Sequence, residues 1–199
     1  MKPGTGSDRK QTSKWARQTQ MVRAGTMRSN LGEMSEALFL TSGFAYDSAE
    51  EAEARFDGRA EGFTYSRQTN PTVAMFEERM ALLEGADVGR ATGTGMAAMT
   101  ASLLAGLRAG DHVLGSRALF GSCRWLMDEL LPRYGIETTV VDGTYIDAWK
   151  AGVRAYTKTV FTEPPANPTP EMVALPAVAV LAHEHGVNMV EDLSHIHIS

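Results

Sequence analysis

The chain has 199 residues, 43% of them hydrophobic, with 19 basic against 24 acidic side chains and a formal net charge of −5. That length buries the core of one good-sized domain, and basic residues scattered after the first thirty positions give no footprint for nucleic acid. The single cysteine, Cys123, excludes an internal disulfide framework and fits a reducing compartment, while the longest apolar run, MAAMTASLLAGL, is too short for a bilayer and the polar start has no secretory core. A cytoplasmic protein with no membrane partner is the expectation.

Residues 1–36 are polar and punctuated by Gly, Ser and Thr, which predicts an extended arm that adds no core. From Pro71 the pattern turns regular. In NPTVAMFEERMALLEG, Phe76, Met80 and Leu83 recur at helical spacing, with Pro71 suited to a helix start and Gly85 to a stop. ATGTGMAAMTASLLAGLRAGD predicts a glycine-rich turn feeding a helix that ends near Gly110. There follow strand HVLGS, helix CRWLMDELLPRYG, strand IETTVV, helix YIDAWKAGVR, strand TKTVFTE, helix MVALPAVAVLAHEHG despite Pro176, and strand VNMV. Strands alternating with helices predict a mostly parallel sheet flanked by helices, an α/β fold whose ligand sits beyond the carboxyl ends of the strands.

That plan marks the residues just after strands: the turn Gly93 to Met96, the segment Ser116 to Ser122, EPPANP from Glu163, and Asp192. Gly93, Gly95 and Ala98 in TGTGMAA have the spacing of a dinucleotide fingerprint, but DVGRA is a poor strand before it and Asp111 opens rather than closes HVLGS. A phosphate cradle at the helix start stays open beside the plainer reading of a tight turn. Tyr65 and Arg67 in YSRQTNPT would share one side of an extended segment and could clamp a phosphate, or be a half-buried tyrosine beside a surface arginine. Glu163 and Asn167 in FTEPPANPT follow a strand and are held by prolines, as an active site or an ordinary loop would hold them. Phe120 and Cys123 read as core, and His183 and His185 as partners of helix-end carbonyls. Asp192 closes the last strand. His195 and His197 beyond it could face one way, but the terminus supplies no scaffold for a closed metal site, so no metal is expected.

In their order, YSRQTNPT, ATGTGMAA, FGSCR, EPPANPT and a strand ending in Asp192 resemble the cystathionine γ-synthase-like, or Cys/Met metabolism, family of pyridoxal-phosphate enzymes from about Leu38 to Asp192. LTSGFAYDSAEEAEARF and RALFGSCRWLMDELLPRYGIETTVVDGT look most like its O-succinylhomoserine sulfhydrylase branch. The resemblance implies the fold type I large domain, here incomplete over residues 37–199, with pyridoxal 5′-phosphate as cofactor. It implies that the backbone N–H groups of Gly95 and Met96 hold the phosphate, and that Tyr65 and Arg67 complete the clamp in a neighbouring subunit. Phe120 would stack on the pyridine, Asn167 lie near the ring hydroxyl and Asp192 face the ring nitrogen; Glu163 matches a family acid of unassigned role. The implied reaction is γ-replacement on O-succinylhomoserine by sulfide to give homocysteine, in a homotetramer built as a dimer of dimers. A cystathionine γ-synthase or γ-lyase of the same family, or an inactive fragment serving as a binding partner, are the alternatives. The family's cofactor-linking lysine has no counterpart among Lys2, Lys10, Lys14, Lys150 and Lys158. After Asp192, Leu193–His197 departs from the family pattern, so a truncated, inactive N-terminal portion is expected.

Overall fold

A computed structural model describes residues 12–194, and the chain divides after Ala91 into two compact units. The first contains helices α1 (Arg17–Arg23), α2 (Ala49–Phe56) and α3 (Pro71–Glu84). Helix α1 interrupts the extended arm expected before residue 37. Ala24 and Met27 just beyond it are buried, Met27 in an apolar cluster with Phe63 and Met75, so this stretch does add core. The cause is a close approach that composition does not reveal. Gly25 takes a left-handed φ of 71° and passes so near α3 that a Cβ there would lie 2.8 Å from the Met75 carbonyl oxygen.

Helix α2 starts at Ser48, whose hydroxyl accepts the Glu51 N–H at 3.1 Å while the Glu51 carboxylate accepts the Asp47 N–H at 2.7 Å, a close variant of the capping box. Helix α3 has the predicted bounds: the Asn70 side chain accepts the Thr72 N–H at 2.9 Å, Pro71 opens the first turn and Gly85 ends it at φ 66°. Its buried face is another matter. Met75 and Ala81 point inward, whereas Phe76 and Met80 are exposed, because apolar residues lie on several sides of α3 and their spacing alone selects no face.

The second unit is a four-stranded sheet, β1 (His112–Ser116), β2 (Glu137–Val141), β3 (Thr157–Thr162) and β4 (Asn188–Glu191). All pairs are parallel, in the order β2-β1-β3-β4. Parallel pairing demands crossovers. Helix α4 (Gly95–Leu104) leads into β1. The segment α5 (Gly121–Trp125), a π-helical stretch Leu126–Leu130 and α6 (Leu131–Arg133) joins β1 to β2. Helices α7 (Ile146–Gly152) and α8 (Leu175–Glu184) make the remaining two connections.

Alternation along the strands sorts the core. Val113 and Phe161 pack on one face with Leu103, Cys123 and Met127, and Leu114 and Val160 on the other with Trp149, Val178 and Leu181. The sheet is therefore covered on both sides, as a parallel sheet must be. Pro132 explains the π-helical stretch: it has no N–H to continue the helical ladder, and Leu131 instead donates to the Leu126 carbonyl five residues back. Helix α4 ends at Leu104, short of Gly110, whose φ of 91° serves the turn into β1. Pro176 sits in the first turn of α8, where its missing N–H is no loss. No helix of the described residues is long and apolar enough to cross a membrane.

One buried group makes the sheet sensitive to acid. His112 is fully buried at the start of β1, with Nδ1 2.8 Å from Thr157 Oγ1 and Nε2 2.9 Å from Thr139 Oγ1. Burial first, and Arg154 second, hold its pKa below the usual imidazole value, with Glu137 opposing them. The unfolded chain then binds a proton more readily than the folded chain, so stability falls as pH drops below about 6.5 and levels off beneath the lowered folded value. Urea unfolding between about pH 7.5 and 5 is expected to show a steeper loss for the wild type than for His112→Gln, which lacks the titrating ring.

Candidate functional site

In a parallel sheet the loops that meet a ligand leave from the carboxyl ends of the strands, and three such ends converge here. After β1 the chain reaches Phe120, which caps the start of α5 and stays 42% exposed. After β3 comes Glu163, only 1% exposed, whose Oε2 accepts the Phe120 N–H at 2.5 Å. After β4 comes Asp192, which extends the ladder by donating its N–H to the Thr162 carbonyl at 3.0 Å. The Asp192 carboxylate is gripped on both oxygens: Oδ2 accepts the Cys123 thiol at 3.2 Å and Oδ1 the Ser194 N–H at 3.1 Å.

Phe120, Cys123, Glu163 and Asp192 thus form one connected group. Phe120 and Cys123 are three residues apart, so the start of one helix brings a backbone N–H to Glu163 and a buried thiol to Asp192. Burial pushes the Cys123 thiol up to about 12, reinforced by its bond to Asp192 and by the negative charges of Asp192 and Glu163. The thiol therefore stays neutral and acts as a donor.

The start of α4 leaves backbone donors facing open space. The Thr94 hydroxyl accepts the Ala97 N–H at 3.0 Å, while Gly95 and Met96 lie in the first turn, where no carbonyl four residues back within the helix can receive their N–H groups. A Cβ at Gly93 or Gly95 would meet nothing within 4 Å, so the approach is open, and donors and helix dipole favour negative charge there. The Met96 side chain packs against the cluster that contains Cys123. Asn167 is half-buried on the loop after Glu163, between cis Pro164–Pro165 and cis Asn167–Pro168 bonds.

Tyr65 and Arg67 belong to the first unit and are both exposed. Tyr65 forms an isolated antiparallel bridge with Gly43. The N–H groups of Gln68 and Thr69 then both donate to the Tyr65 carbonyl, at 2.9 and 3.1 Å, so the backbone turns where an extended segment was expected. The turn still pairs the side chains, with the Arg67 guanidinium 5.6 Å from the centre of the Tyr65 ring. His185 Nδ1 lies 2.9 Å from the Leu181 carbonyl oxygen, the helix-end role expected of it. His195 and His197 lie outside the described residues, among which no group of three His, Cys, Asp or Glu side chains could hold a metal.

Reading for core placed Cys123 correctly and Phe120 wrongly, since as helix cap its ring stays exposed; it also missed that the Cys123 sulfur touches Asp192 and left Glu163 without a task. The group fits pyridoxal phosphate: an open helix start for its phosphate, an exposed aromatic face for its ring, and a held carboxylate for a basic ring nitrogen.

Comparison with known proteins agrees with that chemistry. The family model described as Cys/Met metabolism PLP-dependent enzyme matches residues 18–195. An O-succinylhomoserine sulfhydrylase of Mycobacterium tuberculosis (strain CDC 1551 / Oshkosh) is 46% identical over 171 residues, 86% of this chain and 42% of that protein. An L-methionine gamma-lyase of Fusobacterium nucleatum subsp. polymorphum is 37% identical over 180 residues, 90% of this chain and 46% of that protein. A crystal structure from Campylobacter jejuni subsp. jejuni, holding N′-pyridoxyl-lysine-5′-monophosphate, shares the fold at a TM-score of 0.85 and 24% identity, over 90% of this chain and 44% of that one. The chain spans less than half the length of these curated relatives. With a connected site at the strand ends and a family match over nearly its whole length, the chain belongs to the Cys/Met metabolism family of PLP-dependent enzymes.

Proposed function

We propose that the chain holds pyridoxal 5′-phosphate and belongs to a sulfhydrylase that converts O-succinylhomoserine and sulfide to homocysteine and succinate, a step of methionine biosynthesis. The observation that carries the cofactor reading is Asp192, set at the carboxyl end of β4 with both carboxylate oxygens engaged and Phe120 one helical turn from its thiol donor. The sulfhydrylase branch is supported by 46% identity to the mycobacterial enzyme, against 37% to the gamma-lyase. That gamma-lyase likeness favours a second reading, γ-elimination by a lyase of the same family.

When bound, the cofactor supplies a protonated pyridine ring that draws electron density from the substrate's α carbon. Everything else falls to the chain. The N–H groups of Gly95 and Met96 would bind the phosphate, Phe120 would offer its ring face to the pyridine, and Asn167 would serve the ring hydroxyl. The Asp192 carboxylate keeps a proton on the ring nitrogen, since an adjacent negative charge favours the protonated base. Tyr65 and Arg67 serve the phosphate of a neighbouring subunit, the guanidinium forking to two oxygens, in a dimer of dimers. Lysines of the second unit do not reach this group: Lys150 is exposed on α7 and paired with Asp147 at 3.4 Å, and Lys158 is exposed near the amino end of β3. Among the described residues of the second unit, then, no lysine stands beside Asp192 to shuttle protons.

Equilibrium dialysis against pyridoxal phosphate is expected to show retention by the wild type and at least about tenfold weaker retention by Asp192→Asn, the scale of one hydrogen bond to a charged group. Equal retention by both would count against the role of Asp192. The loaded chain by itself, given O-succinylhomoserine and sulfide, is expected to release no succinate; release of succinate with homocysteine would contradict its inactivity and support the sulfhydrylase assignment. Formation of 2-oxobutanoate in place of homocysteine would shift the assignment to the lyase. Glu163→Ala removes the acceptor of the Phe120 N–H and is expected to cost about 1–3 kcal/mol in urea unfolding, with Glu163→Gln recovering part of it through the retained amide oxygen.

A further inference from the structure

Cys123 is a side chain of the second unit that the proposed chemistry does not use, although the geometry sets it against Asp192. It is 1% exposed, on the first turn of α5, and its sulfur lies 3.2 Å from Asp192 Oδ2. The other oxygen of the same carboxylate takes the Ser194 N–H from the opposite direction along the chain. Two donors, one from α5 and one from the loop after β4, thus fix the rotation of the Asp192 carboxylate.

We propose that Cys123 is a positioning residue, whose neutral thiol orients the Asp192 carboxylate toward the cofactor's ring nitrogen while leaving that carboxylate basic. The proposal rests on the cofactor reading above and adds to it a reason for a thiol. An S–H group is a weak donor. A strong charged donor in its place would stabilise the carboxylate's negative charge and make it a poorer acceptor for the pyridinium proton. The thiol supplies direction at little cost in basicity. Glu163 contributes from the other side of the same turn. Its buried carboxylate holds the Phe120 N–H, so the turn that sets the sulfur also sets the exposed ring. The burial and the two negative neighbours that push the thiol up to about 12 keep it protonated, hence a donor, near neutral pH.

Two measurements separate this from a merely structural role. Cys123 is the only cysteine, so the infrared S–H stretch is a single band in a window clear of other protein absorption. In the wild type without cofactor it should be displaced to lower frequency, and Asp192→Ala should return it to the position of an unbonded thiol. An identical band in the two would overturn the bond. With ring-¹⁵N pyridoxal phosphate, the wild-type nitrogen resonance should be that of the protonated ring. Cys123→Ala should move it toward the unprotonated position and weaken cofactor retention about fivefold, the size of one ordinary hydrogen bond. Cys123→Ser, which keeps a donor, should restore retention. A Cys123→Ala protein with wild-type resonance and retention would overturn the positioning role. Failure of the wild type to take up pyridoxal phosphate at all would overturn the cofactor reading and the purpose assigned to Cys123, with the S–H band still deciding the bond itself.

Discussion

The second unit depends on parallel hydrogen bonding between strands that never neighbour each other in sequence order across a tight turn. β1 lies between β2 and β3, with Val113, Leu114 and Gly115 in register with residues of both partners. Such a ladder exists only if each connection crosses back over a face of the sheet, and those crossovers bury both faces. Two consequences follow at once. The strands carry apolar residues on both sides, and all their carboxyl ends open on the same edge. Asp192, Glu163 and Phe120 come together because the sheet leaves the segments after β4, β3 and β1 nowhere else to go.

Placing two carboxylates at that edge creates an electrostatic problem that the local chain solves with backbone and thiol donors. Glu163 is buried and engages the Phe120 N–H; Asp192 is half-buried and engages Ser194 and Cys123. A buried charge is tolerable only when hydrogen-bonded, and each bond here also fixes a group with a proposed task. The start of α4 carries the complementary sign, N–H groups and a helix dipole facing open space. A ligand carrying both a phosphate and a basic ring nitrogen is complementary to these two signs of charge.

Much of this was legible in the residues. The alternation of helical and strand patterns after Pro71 specified the α/β class, and Pro71, Asn70 and Gly85 marked the ends of α3 through capping chemistry that acts locally. What sequence could not reveal were effects of distance. Gly25 looks like any loop glycine until α3 passes 2.8 Å from where its Cβ would be. Phe76 and Met80 have the spacing of an inner face, yet Met75 takes it, because choosing among apolar sides of one helix depends on its neighbours. Cys123 and Asp192 are separated by 69 positions, and nothing local to either predicts that they touch. Tyr65 and Arg67 were paired correctly for a reason that proved to be a turn rather than an extended strand.

The central claim is that Asp192, held by Cys123 and Ser194, faces the nitrogen of a bound pyridoxal ring. A crystal structure of the chain with pyridoxal phosphate tests it most directly. The account predicts the ring nitrogen within hydrogen-bond reach of the Asp192 carboxylate and the phosphate on the N–H groups of Gly95 and Met96. Cofactor bound with its nitrogen turned away from Asp192, or seated elsewhere on the chain, would contradict it.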